Sequence, residues 1–266
     1  MKKTALLAVA LATCLGYVPA QAADVVSSNI VGYEKVSLSK GLNMVGVQFQ
    51  AVGGDSLVMS SVGTLDNTMA GFDDDEMFAT TLLVWTGNGY KTYGWSGTSG
   101  TDVYEDSSYD NQWLDSITME PSETPTDKGL GFWIKAEKAG TFTISGEVPT
   151  DETAEATLSS GLNMLAYPWP GEIEISKCGI LDGSFAGFDE DEMFATTLLV
   201  WTGNGYKTYG WSGTSGTDVY EDSSYDNQWL DSITMEPATA KISYGQGMWI
   251  KAANGGKITF TSPLAQ

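Results

Sequence analysis

The densest set of metal-competent side chains lies in residues 102–110, where Asp102, Glu105, Asp106 and Asp110 share a short loop that ends at Asn111. Hard oxygen donors of this kind are what calcium takes. The loop recurs as Asp218, Glu221, Asp222 and Asp226, followed by Asn227. Its spacing is not that of the D-x-[DN]-x-[DN]-G calcium loop, and a solvated acidic loop would have the same composition. Calcium is the one cofactor these residues suggest.

A second candidate is aromatic. Tyr93 and Trp95 are two positions apart and share one strand face with Lys91. Exposed, such a pair would stack on sugar rings, and its copy, Tyr209 with Trp211, would make the protein a bivalent carbohydrate binder. Turned inward, the same residues are core, which Trp and Tyr often fill. Trp85, Trp113 and Trp133 sit in apolar strands and read as core.

Catalytic constellations are missing. Residues 94–98 (GWSGT) approach the G-x-S-x-G nucleophile elbow but lack its last glycine. The chain has no histidine, which excludes Ser-His-Asp chemistry and His-ligated metal sites. A glycosidase needs two facing acids, one raised by burial, whereas Asp73, Asp74, Asp75 and Glu76 form a consecutive run of the solvated kind. The chain therefore reads as non-enzymatic. It also lacks arginine and carries a formal net charge of −21, so nucleic acid and anionic lipid are not expected partners.

Residues 1–22 have the layout of a secretory signal peptide. Lys2 and Lys3 precede an apolar run over residues 5–18, and Ala20-Gln21-Ala22 supplies the small-x-small cleavage pattern. No segment approaches the roughly 20 apolar residues of a membrane span. Export places the protein in the periplasm, on the outer surface or in the medium. Cys14 leaves with the signal, so Cys178 stands alone and is expected to be a buried, inert thiol.

The rest of the chain is organised by a duplication. Residues 70–121 recur at 186–237 with a single change, Asp74 answered by Glu190. Looser matches flank this block: residues 39–44 answer 159–164, and 131–136 answer 247–252. The expected units are residues 23–148 and 149–266. Thr-, Val- and Trp-rich runs alternate with turn chemistry such as Thr86-Gly87-Asn88-Gly89, which predicts a hairpin over residues 80–95. Further strands are expected over residues 41–50, 112–119, 131–136 and 141–144, with short helices only over 56–62 and 73–79. The fold class is all-β, two tandem sandwich or barrel-like units.

Residues 28–35 (SNIVGYEK), the strand Gly41-Leu42-Asn43-Met44-Val45-Gly46, the hairpin over 84–90 and the strand over 129–134 resemble a group of uncharacterised secreted proteins of environmental Gram-negative bacteria. These share a "SNIVGY" start, a "G-x-N-x-[VI]-[GS]" strand, a "VW-x-G-x-GY" hairpin and a "G-x-GFWI" strand. The resemblance implies export and a β-rich fold, and carries no activity or site residue. The expected function is that of a secreted structural, surface or adhesive repeat protein, calcium-assisted and self-associating. A bivalent binder of surface glycan through the Tyr/Trp pairs is the alternative.

Overall fold

A computed structural model describes residues 30–54, 57–71, 78–98, 107–185, 187, 194–214 and 223–263. The first half consists of β1 (Val31–Leu38), β2 (Gly41–Gly46), β3 (Leu57–Val58), β4 (Thr64–Leu65), β5 (Thr81–Trp85), β6 (Tyr90–Trp95), β7 (Trp113–Asp115), β8 (Pro125–Thr126), β9 (Gly131–Ala136) and β10 (Gly140–Glu147). The second half repeats this order. It runs through β11 (Thr153–Leu158), β12 (Gly161–Ala166), β13 (Ile173–Glu174), β14 (Ile180–Leu181), β15 (Thr197–Trp201), β16 (Tyr206–Trp211), β17 (Trp229–Asp231), β18 (Lys241–Ile242), β19 (Gly247–Ala252) and β20 (Gly256–Thr261).

The fold is all-β, built of antiparallel sheets in two similar sets, none of them a closed barrel. In each half a five-stranded sheet (β2-β9-β5-β6-β7, repeated as β12-β19-β15-β16-β17) faces a three-stranded one (β1-β10-β4, repeated as β11-β20-β14). Leu82, Tyr93, Trp113, Phe132 and Ile134 of the larger sheet pack with Leu38, Leu65, Phe142 and Ile144 of the smaller. The hairpin over residues 81–95 forms as expected, with Thr86 N–H donating to Gly89 O at 2.9 Å and Gly87 in the left-handed region (φ 99°). Two expected strands are shorter than their apolar patterns. Residues 41–50 hold β2 only to Gly46, and 112–119 hold β7 only to Asp115, after which the chain turns. The expected helix over 56–62 is one 3₁₀ turn, Met59–Ser61. The one over 73–79 lies mainly outside the described residues. Among the described residues no helix is long and apolar enough to cross a membrane.

The two halves pack against each other through the sheet faces turned away from their cores. Strand register places Met44, Trp133 and Leu83 in one cross-strand row, and Met164, Trp249 and Leu199 in the equivalent row. With Trp85 and Trp201, these rows form a third apolar cluster between the halves. Trp85 meets Trp249 edge-on at 5.6 Å, and Trp133 meets Trp201 at 5.4 Å. Each such pair adds about 0.5–1.5 kcal/mol beyond its buried area. The indoles of Trp85 and Trp201 donate across the seam to Leu162 O (2.8 Å) and Leu42 O (3.2 Å).

Backbone closes the seam as well. Gly46 N–H donates to Gly245 O at 2.8 Å, and Ala166 N–H donates to Gly129 O at 2.7 Å. Bridges Val45↔Gln246 and Leu130↔Leu165 repeat the relation with the halves exchanged, so the contact is self-complementary about a pseudo-twofold axis. The chains come this close because glycines line the crossing: a Cβ at Gly131 would lie 2.4 Å from Leu165 O, and one at Gly46 would lie 2.1 Å from Ala166 Cβ. Gly131→Ala should therefore force the halves apart while leaving each core intact. The expected cost is about 1–3 kcal/mol, and calorimetry should show one cooperative transition broadening or splitting into two.

Candidate functional site

The aromatic candidates do not form a surface. Tyr93, Trp95, Tyr209 and Trp211 are at most 2% exposed and belong to the two cores, which corrects the expectation of exposed Tyr/Trp pairs. The physical reason lies in the sheet. The face shared by Tyr93 and Trp95 is the one covered by the three-stranded sheet, and Trp95 packs on Trp113 at 5.1 Å. Trp113 in turn donates its indole N–H to Gly63 O at 2.9 Å, as Trp229 does to Gly179 O at 3.0 Å. A large aromatic without a solvent-facing edge adds stability and binds no sugar.

Of the acidic candidates, Asp102, Glu105, Asp106, Asp218, Glu221 and Asp222 lie outside the described residues. Asp110 and Asp226 are half-buried in turns that follow the single 3₁₀ turns Ser107–Tyr109 and Ser223–Tyr225. Among the described residues no group of three or more acids or cysteines is gathered as metal ligands. The base of the loop is tied by Ser96, the serine of the incomplete nucleophile elbow. Its buried hydroxyl donates to Tyr109 O and accepts Gln112 N–H at 3.0 Å, while Asn111 N–H donates to Gly97 O at 2.7 Å. Ser212 does the same in the second half, with Tyr225 O and Gln228 N–H. Cys178 is fully buried, and burial pushes its thiol up to about 12.

What the loops do present is the turn after β7. Asp115 Oδ1 accepts the N–H groups of Ile117 (2.9 Å) and Thr118 (3.4 Å), and its carboxylate pairs with Lys91 at 3.2 Å. These bonds, the one from Ile117 first among them, hold the Asp115 carboxyl below the usual carboxylate range. Met119 then takes a left-handed conformation (φ 62°), unusual for a side-chain-bearing residue, with its N–H on Asp115 O at 2.8 Å. The turn is thus internally bonded, and it holds Ile117 89% exposed. The duplicate turn has Met235 at the same φ of 62°, Asp231 bonded to Ile233 and Thr234, and Ile233 also 89% exposed. Period-two reading missed this feature because it extends β7 through Ile117 instead of ending it at Asp115.

The two ends of the seam differ. Residues 127–130 reach from the first half onto the second, and their counterparts 243–246 reach back. At one end Ala154, Ala156 and Pro168 leave a cleft of about 720 Å³ between the halves, with Phe49, Leu130 and Met164 also in its wall and the Lys128–Asp151 ion pair at its rim. At the other end the matching positions hold Glu34, Val36 and Gln48, and the counterpart loop covers Glu34, leaving a smaller cleft of about 340 Å³ beside Val36 and residues 243–246. The polar side chains in the lining of the larger cleft are those of Gln50, Thr126, Asp127, Lys128 and Glu155.

No family model matches the chain, and no curated protein or solved structure does so either. The molecule's own geometry is what bears on function. Trp95→Ala and Trp211→Ala should each cost about 3–5 kcal/mol, and urea unfolding followed by tryptophan fluorescence should show both midpoints shifted, because these residues are core.

Proposed function

We propose that the protein is an exported, non-enzymatic structural or surface protein that self-associates through the turns bearing Ile117 and Ile233. One observation carries the reading: the same internally bonded turn, with the most exposed large apolar side chain among the described residues of each half at its tip, occurs twice on a body held together by the seam. In strand order β7 and β17 are the last strands of their sheets, well beyond β9 and β19, which make the seam. The turns accordingly lie at the remote edges of the two halves. A turn that pairs with its own copy and occurs twice per chain generates a linear array, not a closed dimer.

Self-association has to overcome the repulsion of a chain with formal net charge −21. Added salt screens that repulsion and should promote assembly. Calcium is the proposed assisting ion, because the acidic loops over residues 102–110 and 218–226 lead directly into the strands that carry the turns and are rich in the oxygen donors it takes. The alternative carbohydrate reading loses its aromatic platform to the core.

Light scattering over a concentration series tests the proposal. Wild-type mass should rise beyond the dimer. Ile117→Asp or Ile233→Asp, each with one intact patch, should stop at the dimer, and the double variant should stay monomeric with an unchanged unfolding midpoint. A wild-type chain that remains monomeric at high salt, with and without millimolar calcium, would refute self-association. Assembly that persists undiminished in chelator would remove calcium from the account and leave the turns.

A further inference from the structure

Strand β1 places Gly32, Glu34, Val36 and Leu38 on its inward face, while Val31, Tyr33, Lys35 and Ser37 face solvent. Glu34 is therefore an acid on a core-facing row. Both of its carboxylate oxygens are covered and make no hydrogen bond. Residues 243–246 of the second half close over it: a Cβ at Gly245 would lie 3.3 Å from Glu34 Oε1 and 2.4 Å from Val36 Cγ2. The loop is seated by two bonds to the first half. Gly245 N–H donates to Gln48 Oε1 at 3.0 Å, and Gly245 O accepts Gly46 N–H at 2.8 Å. Gln48 is itself fully buried.

We propose that Glu34 is a proton-operated latch at this end of the seam: neutral, it lets residues 243–246 stay seated on the first half, and ionised, it drives them off. A carboxylate withdrawn from water without a partner is unfavourable, so it either keeps a proton or exposes itself. Among the described residues, none of the elements packed around it offers it a cation. Its cross-strand partner on β10 is Ile144, the stretch after β2 contributes Gln48 and Phe49, and the loop contributes Ser243, Tyr244 and Gln246. Tyr244 is the one titratable group among these, and Lys35 lies on the opposite face of β1. Burial alone pushes the Glu34 carboxyl from 4.5 up to about 7. The second half shows what the position looks like without a latch, since Ala154 stands there and that end of the seam holds the larger of the two clefts, about 720 Å³ against about 340 Å³.

The sign follows from linkage. Between pH 4.5 and 7 the closed protein retains a proton that the unfolded chain has released. The stabilisation is complete below pH 4.5, falls as pH rises through that window, and is gone above about 7. Opening of the loop follows the same direction.

Amide hydrogen exchange of Gly46 and Gly245, corrected for the intrinsic pH dependence of exchange, tests the latch in the full chain. Opening that releases one proton becomes about tenfold more favourable for each tenfold fall in proton concentration. In wild type the opening constant should therefore rise by about tenfold or more from about pH 5.5 to about pH 8.5. Glu34→Gln, neutral and nearly isosteric, should hold it flat. Glu34→Ala, the residue found at position 154, should also be flat and serves if the glutamine variant folds poorly. Glu152→Gln, at an exposed acid, should leave the wild-type profile unchanged and controls for the overall negative charge. Profiles of Glu34→Gln and Glu34→Ala that rise in parallel with wild type would overturn the proposal.

Discussion

Met44, Leu83 and Trp133 stand side by side across three strands, and Met164, Leu199 and Trp249 stand opposite them in the other half. The rest of the structure depends on that contact. Each five-stranded sheet is covered on one face by its own three-stranded sheet, and its other face would show water a tryptophan, a methionine and a leucine in one contiguous patch. Monomeric proteins rarely leave such a patch open. The partner half covers it, and the close backbone approach at Gly46 and Gly131 brings the rows into contact. A duplication of one unit thereby becomes a single body with a self-complementary internal interface.

That body separates what the two halves share from what they do not. The nearly identical block, residues 70–121 and 186–237, supplies the hairpins whose Trp85 and Trp201 cross the seam and the turns that carry Ile117 and Ile233 outward. Divergence falls partly in the cores, where Met59, Val62 and Met69 answer Ile175, Cys178 and Phe185, and partly at the ends of the seam, where Glu34, Val36, Gln48 and the loop 243–246 have Ala154, Ala156, Pro168 and the loop 127–130 as their counterparts. One end covers a buried acid and leaves a cleft of about 340 Å³, and the other leaves one of about 720 Å³. The duplicated turns thus face outward, while the two ends of the joint differ.

The all-β class, the hairpins and the duplication were legible from turn residues and repeat alignment, because Gly87 and Asn88 act locally and need no tertiary context. The side on which an aromatic pair lies was not. Period two puts Tyr93 and Trp95 on one face but does not say which sheet covers that face. Trp85 and Trp133 were legible as apolar, yet they fill the seam between halves and not the core of one, a distinction that requires knowing how the halves dock. The motif residues acquire their reasons only in three dimensions. Asn43 bonds the backbone of Ser39 through both ends of its amide, Gly46 and Gly131 permit the crossing, and Trp133 fills the seam. Glu34 was within reach of the sequence, since strict alternation sets it in line with Val36 and Leu38, but its burial depends on a loop more than 200 positions away.

The central claim is that the seam locks the two halves into one rigid body, and residual dipolar couplings of the backbone amides in weakly aligned solution test it most directly. A single alignment tensor, equal in magnitude and direction for the strands of both halves, is the expected result. Separate tensors of different magnitude for residues 31–147 and 153–261 would mean that the halves move independently, and would contradict the account.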